Sequence, residues 1–326
     1  MAEITYREAV VRALDEEMAR DEDVIFFGED VGRAGGVFKV TPGLWEKYGN
    51  DRVRDTPISE NAIVGAGIGA AITGMRPVIE LMFADFAAVT LDQVINQAAK
   101  MRYMSGGQIK VPLTIRAAQG GGAGFGSQHS QCVEAWFMHA PGLKVVVPST
   151  PADVLGLLKS SIRDDNPVVF LEHKSQYTDR GEVPDHSDHL VPLGVANVVR
   201  EGTDVTIVAI QNMVKVAKAA AEALANEGIS CEVIDPRTLV PLDLETIINS
   251  VKKTGRLVTV EEAVRAGAWG GEVATQVTEN AIWSLEGPVV RVTMDAGIIP
   301  FNGMLEATLI PNKDRVMAAV RQVMEP

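Results

Sequence analysis

Cysteine is nearly absent from this 326-residue chain. Cys132 and Cys231 stand far apart and without metal-ligand spacing, which argues against a disulfide scaffold or a thiolate metal site and fits a reducing compartment. Positive charge is also scarce: 30 basic against 43 acidic residues leave a formal charge of −13. No global basic field exists to hold a nucleic-acid backbone or an anionic membrane, so neither is expected as a partner. The most apolar long stretch, residues 62–75, is glycine-rich and short of the about 20 apolar residues that span a bilayer. The first 24 residues mix acidic and basic side chains at helical spacing, without the apolar core of a signal peptide or an Arg/Ser-rich transit pattern. The expected location is the cytoplasm. G-x-S-x-G, G-x-x-x-x-G-K-[ST] and H-E-x-x-H are all missing, so the standard hydrolase, triphosphatase and metalloprotease readings lack their machinery.

What is present is apolar sequence in short runs. With 46% hydrophobic and 22% charged residues the chain can fill a core, and its length exceeds the about 250–300 residues at which single cores stop growing. Two domains are expected. Thr5 followed by Glu8 has the capping-box pattern and opens a helix. Strands are predicted over 24–28, 77–82, 111–117, 144–147 and 168–172, alternating with helices over 60–74, 91–104, 131–139 and 152–163. Residues 175–192 are polar, carry two prolines and show no period, as a linker would. Beyond them, strands over 205–210, 230–234, 256–260 and 289–292 alternate with helices over 215–226, 244–253, 272–283 and 313–324, with Gly228 and Gly255 as helix stops. The alternation predicts an α/β protein of two doubly wound domains, 1–178 and 194–326, joined by a linker at 179–193.

Three places invite chemistry. Residues 65–70, GAGIGA, come close to a dinucleotide fingerprint, but they follow a polar turn with Ser59 as N-cap rather than a buried strand. They are expected inside a helix, where glycine permits close packing. Glu60, just inside that helix, is open to two readings: a first-turn carboxylate that complements the helix dipole, or a buried general acid–base group. The densest signal is QGGGAGFGSQHSQ, residues 119–131, in which a strand ends and five glycines precede His129. Such loops at the carboxyl ends of parallel strands bind ligands, so His129 is either an acid–base histidine or a cap for the next helix. His139, His173, His186 and His189 rank lower, and His186 with His189 makes a poor metal site.

Longer strings carry a family resemblance across essentially the whole chain. FFGEDVG (26–32), GGVFKVTPGL (35–44), DRVRDTPISEN (51–61), FADF (83–86), LDQVINQAAKMRYMSGG (91–107), QHSQ and IDPRTLVPLD resemble the β subunit of the thiamine-diphosphate-dependent component of 2-oxo-acid dehydrogenase complexes. That group includes the pyruvate, branched-chain 2-oxo-acid and acetoin dehydrogenases. The resemblance implies a transketolase-like pyrimidine-binding domain, a transketolase-like C-terminal domain, and assembly as two α and two β chains. It implies that Glu60 contacts N1′ of the cofactor aminopyrimidine, with Ile58, Met82 and Phe86 around the ring, and that His129 orients substrate or stabilises its oxyanion. It further implies that Mg²⁺ is held through a G-D-G segment and a later Asn-Asn pair of the α subunit, both of which this chain lacks. Leu113, Ser161, Asp164 and Asn166 match positions that hold potassium in some relatives. Met82 stands where some relatives have polar side chains, and residues 294–306 depart from the usual proline- and tyrosine-rich segment that would bear on docking of the lipoyl acyltransferase. The alternatives are the C-terminal half of a split transketolase and a noncatalytic assembly subunit of the same fold. The donor, whether pyruvate, a branched-chain acid or acetoin, is not specified by the motifs.

Overall fold

The computed structural model describes residues 1–186, 188–295 and 297–325. They form two compact units, Met1–Gln119 with Trp136–Leu193, and Gly120–Ala135 with Gly194–Pro326.

The first unit opens with β1 (Ala2–Thr5) and α1 (Tyr6–Arg20). The capping box is closed, Thr5 Oγ1 accepting the Glu8 N–H at 3.3 Å and Glu8 Oε2 accepting the Thr5 N–H at 2.6 Å. Then follow β2 (Val24–Gly28), α2 (Leu44–Tyr48), β3 (Val53–Asp55), α3 (Glu60–Ile72), β4 (Arg76–Leu81), a 3₁₀ turn (Ala84–Thr90), a π-helix (Asp92–Ala98) and α4 (Ala99–Met104). After these come β5 (Thr114–Gln119), α5 (Glu134–Met138), β6 (Lys144–Val146), α6 (Pro151–Arg163), β7 (Val168–His173) and β8 (Arg180–Val183). Strands β6-β7-β5-β4-β2-β3 lie side by side and all pair in parallel. Every residue of β5 and β7 is buried, which is why these strands read as unbroken runs rather than alternating ones. Helices α1 and α6 pack on each other, with Tyr6, Leu14, Met18, Phe26, Leu155 and Phe170 in one core.

Several boundaries differ from the sequence expectation. β5 starts at Thr114 rather than 111, since Pro112 has no N–H to give a ladder. The helix expected over 91–104 is a π-helix that continues as α-helix, and the one expected from 131 begins only at Glu134. The polar segment 175–192 contains β8, which pairs antiparallel with β1, Ala2 opposite Val183 and Thr5 opposite Arg180. An exposed two-stranded ladder needs only backbone groups, so its side chains carry no hydrophobic period.

In the second unit the elements are β9 (Asn197–Arg200), β10 (Val205–Ala209), α7 (Asn212–Ala225), β11 (Cys231–Asp235), β12 (Thr238–Val240), α8 (Leu244–Thr254), β13 (Leu257–Val264), α9 (Trp269–Ala281), β14 (Val290–Met294), α10 (Gly303–Leu309) and α11 (Lys313–Met324). The sheet order is β14-β13-β10-β11-β9, parallel except for the edge strand β9. Its core joins Val205, Ile207, Val233 and Val258 to the inner faces of α7 and α11. Cys231 is fully buried there, and burial pushes its thiol up to about 11. Gly228 and Gly255 both adopt left-handed φ, +82° and +72°, just past helices α7 and α8. No helix among the described residues is long and apolar enough to cross a membrane.

Candidate active site

Parallel strands share one carboxyl edge, and in the first unit β2 lies between β4 and β3. The residues that follow these three strands are therefore neighbours: Glu29 after β2, the turn into α3 after β3, and Met82 after β4. Gly28 makes the first of these exits fit. A Cβ there would stand 2.8 Å from the Glu80 carbonyl oxygen, too close for any other residue. The next turn is tied to β3, because Asp55 accepts the Gly32 N–H at 2.6 Å.

Glu60 is the first residue of α3 and half-buried. Ser59 occupies the cap position, yet its side chain makes no capping hydrogen bond among the described residues. Glu29 was not singled out by sequence, although FFGED was a prominent string. It is only 7% exposed, and its Oε1 has no hydrogen-bond partner among the described residues. Burial first, then the negative charges of Glu60 and Asp30, push the Glu29 carboxyl above the usual carboxylate range. The Glu60 charge thus acts on Glu29 at the same sheet edge. Ile58 is 82% exposed at the start of α3, whereas Met82 and Phe86 are half-buried. Phe86 belongs to the 3₁₀ turn against which α3 packs, and its ring meets Phe83 edge-on at 6.1 Å. The structure therefore carries Ile58, Glu60, Met82 and Phe86 on one unit.

Beneath this edge lies a buried ion cluster that also escaped the sequence reading. Arg116 of β5 donates to Glu80 Oε2 at 2.7 Å and, through two nitrogens, to Glu172 at 2.7 and 2.9 Å, while the Tyr177 hydroxyl donates to Glu172 Oε2 at 2.9 Å. Burial pushes the Glu80 carboxyl up and the Arg116 guanidinium pulls it back. One buried cation shared by two carboxylates holds the ends of β4 and β7 to β5.

His129 lies in the second unit. The loop before it has left-handed φ at Gly120, Gly122, Gly124 and Gly126, between +70° and +88°, a backbone that side-chain-bearing residues rarely adopt. The Gly120 N–H reaches the Gln131 carbonyl at 3.3 Å and the His129 N–H reaches the Gly126 carbonyl at 3.4 Å. Because α5 starts at Glu134, His129 is too far upstream to be its N-cap residue. The imidazole is half-buried.

The four residues matched to potassium sit where α6 ends and β5 and β7 begin. The Leu113 carbonyl accepts the Val168 N–H at 2.9 Å, the Ser161 carbonyl accepts the Asp164 N–H at 3.2 Å, and Arg76 donates to the Asp164 carbonyl at 3.2 Å. Asp164 Oδ1 takes both the N–H and the amide of Asn166, Lys144 pairs with its Oδ2, and Arg102 donates to Asn166 Oδ1 at 2.6 Å. The side-chain oxygens are committed. Second lone pairs of the carbonyls are the donors a hard cation would use. His186 pairs with Asp188 at 2.7 Å and His189 with the Ala152 carbonyl at 3.1 Å.

Residues 2–180 match the family described as transketolase, pyrimidine binding domain, and residues 194–316 match transketolase, C-terminal domain. The chain is 46% identical to the 2-oxoisovalerate dehydrogenase subunit beta of Bacillus subtilis (strain 168), over 100% of both sequences. It is 47% identical to a pyruvate dehydrogenase E1 component subunit beta of Rhizobium meliloti (strain 1021), covering 99% of this chain and 70% of that one. Against the acetoin:2,6-dichlorophenolindophenol oxidoreductase subunit beta of Cupriavidus necator the identity is 48%, with 97% and 96% covered. The chain belongs to the family of 2-oxo-acid and acetoin dehydrogenase β subunits.

A solved split-gene transketolase, described as an inactive beta4 tetramer, matches 98% of both chains with a TM-score of 0.81 but 27% identity. It is a distant structural neighbour of this β chain, not its functional model. The family cofactor is thiamine diphosphate, and the residues at the first unit's edge fit its aminopyrimidine half. A carboxylate at a helix start, a second buried carboxyl with an unsatisfied oxygen, and half-buried Met82 and Phe86 supply the polar and apolar surfaces such a ring requires.

Proposed function

We propose that this β chain forms its active site together with an α subunit in a two-α two-β assembly, cleaves a 2-oxo acid or acetoin, and passes the acyl group to a lipoyl acyltransferase. The observation that carries the reading is Glu60 at the start of α3 with the buried Glu29 carboxyl on the same carboxyl edge of a transketolase-type sheet. Glu60 would hold N1′ of the aminopyrimidine through a shared proton, the Ile58 main chain would bind the ring, and Met82 and Phe86 would supply apolar surface to it. When bound, thiamine diphosphate supplies a nucleophilic thiazolium carbon and an electron sink for carbon–carbon cleavage. Glu29 stands on the same sheet edge, its carboxyl held above the ordinary carboxylate range by burial and by the Glu60 charge. His129 serves the substrate side, donating to the oxyanion that develops on the donor carbonyl. The diphosphate and its Mg²⁺ fall to the α subunit in this scheme. A potassium ion on the carbonyls of Leu113, Ser161, Asp164 and Asn166 would brace the end of α6, and replacing K⁺ by Li⁺ would then lower the melting temperature of the complex. Neither Cys132 nor Cys231 is in a disulfide, in keeping with work in the reducing cytoplasm.

The test separates the two roles in the α–β complex. Glu60→Gln is expected to assemble normally yet slow hydrogen–deuterium exchange at thiazolium C2 by about 10²–10⁴-fold. His129→Ala is expected to keep that exchange and lose about 10²–10³-fold in acyl transfer. Wild-type C2 exchange in Glu60→Gln would return Glu60 to the role of a first-turn carboxylate.

A further inference from the structure

We propose that Glu306, with Glu262, is the positioning residue for the glycine loop that carries His129, an inference that rests on the substrate-side reading of that histidine. Residues 120–126 contain five glycines, so only Ala123 and Phe125 offer side chains with which to pack. Its shape therefore depends largely on its backbone. Two of its N–H groups end on carboxylates of the same unit: Gly121 on Glu262 Oε1 of β13, and Gly124 on Glu306 Oε2 of α10 at 3.0 Å. Both side chains are buried, Glu262 at 7% and Glu306 at 2% exposure. Hydrogen bonds from backbone N–H to carboxylate are the strong, charge-assisted kind.

The two carboxylates close on one residue. A Cβ added to Gly121 would lie 3.0 Å from Glu306 Oε1, 3.4 Å from Glu262 Oε1 and 2.9 Å from Ile310 Cδ1. Glu306 Oε1 has no hydrogen-bond partner among the described residues, and Oε2 is the oxygen that accepts from the loop. Beside Gly122, Ala123 and Gly124 lies a cavity of about 450 Å³, also lined by Glu306, Ile310 and Asn312, so packing does not confine that stretch. The helix that carries Glu306 is capped by Asn302, which accepts the N–H groups of Met304 and Leu305 at 3.0 and 3.2 Å. On the same segment, Phe301 stands 3.4 Å from where a Cβ on Gly126 would be. His129 follows Gly126 by one weak turn, so its imidazole inherits whatever position Gly124 to Gly126 are given.

The experiment uses the α–β complex with thiamine diphosphate and Mg²⁺. Glu306→Ala should accelerate amide exchange across residues 120–131 and lower kcat for acyl transfer by about 10–10²-fold, the scale of a misplacement near 1 Å. C2 exchange should be unchanged. Glu306→Gln keeps an oxygen that can accept the Gly124 N–H and should recover most of both losses. In the double variant with His129→Ala, removing Glu306 should cost nothing further, because it acts through the histidine. If Glu306→Ala does not assemble, Glu306→Asp, one methylene shorter, carries the same comparison. Wild-type acyl transfer, a loss that adds to that of His129→Ala, or an equal loss of C2 exchange would each overturn the proposal. If His129→Ala alone proves silent, the substrate-side reading falls, and unchanged loop exchange in Glu306→Ala would then refute the positioning claim separately.

Discussion

Burial and neighbouring negative charge act on Glu29 in the same direction, both opposing ionisation. A carboxyl whose pKa is raised by folding makes the native state bind more protons than the unfolded one. Stability from this group is therefore full below the unfolded value near 4.5 and is lost as pH rises through the folded value. Glu29→Gln should accordingly leave the melting temperature unchanged near pH 4 and raise it near pH 8. Calorimetry of both proteins across that range checks it, and a gain independent of pH would contradict the sign. The residues of the site were unevenly legible. Glu60 and His129 announced themselves by standing beside glycine runs and polar turns, where chemistry is exposed in the one-dimensional string. Glu29, Arg116, Glu262 and Glu306 did not, because each acquires its role from a strand or loop far away in sequence. Arg116 carried one hint, a charge inside an apolar run with no local partner.

Helix ends show how local chemistry becomes element stability. Asp243 is partly buried, which alone would raise its carboxyl, yet hydrogen bonds from Ala196 N–H and from Thr246 hold it below the usual range. Asp243→Ala removes the cap of α8 and unties the start of β9, for an expected loss of about 1–2 kcal/mol at pH 7. A depressed carboxyl gives stability that is present above its unfolded value near 3.8 and lost as pH falls through the folded value. The difference between variant and wild type in urea denaturation should therefore shrink below about pH 4. At this scale most of the fold could be read in advance. Helices α1, α6, α8 and α11 carry caps and apolar stripes within their own sequence, and the buried strands show as runs of Val and Ile. The misses were short pieces, β1, β3, β9, β12, α2 and α10, which at three to seven residues cannot display a period. β8 was missed because edge pairing leaves no mark on its side chains.

The molecule as a whole is expected to be half of an enzyme. Without the G-D-G and Asn-Asn elements, the isolated chain should bind thiamine diphosphate weakly and show no decarboxylation, both restored by adding the α chain. Tight, stoichiometric, Mg²⁺-dependent binding measured calorimetrically on the chain alone would refute the two-chain scheme. The second unit also draws residues 120–135 from the midst of the first unit's sequence, and that interleaving bears on how such a chain can be divided. A gene cut between the regions flanking 179–193 would yield a C-terminal product, 194–326, lacking the segment whose N–H groups Glu262 and Glu306 bind. Both carboxylates would then lose the N–H donors that the loop supplies. Expressed alone, that fragment should be poorly folded by amide dispersion in NMR, and a synthetic peptide spanning 119–135 should improve it when added in trans. The polar joint between the halves is thus a seam in composition, while the heritable unit of folding is the uninterrupted chain.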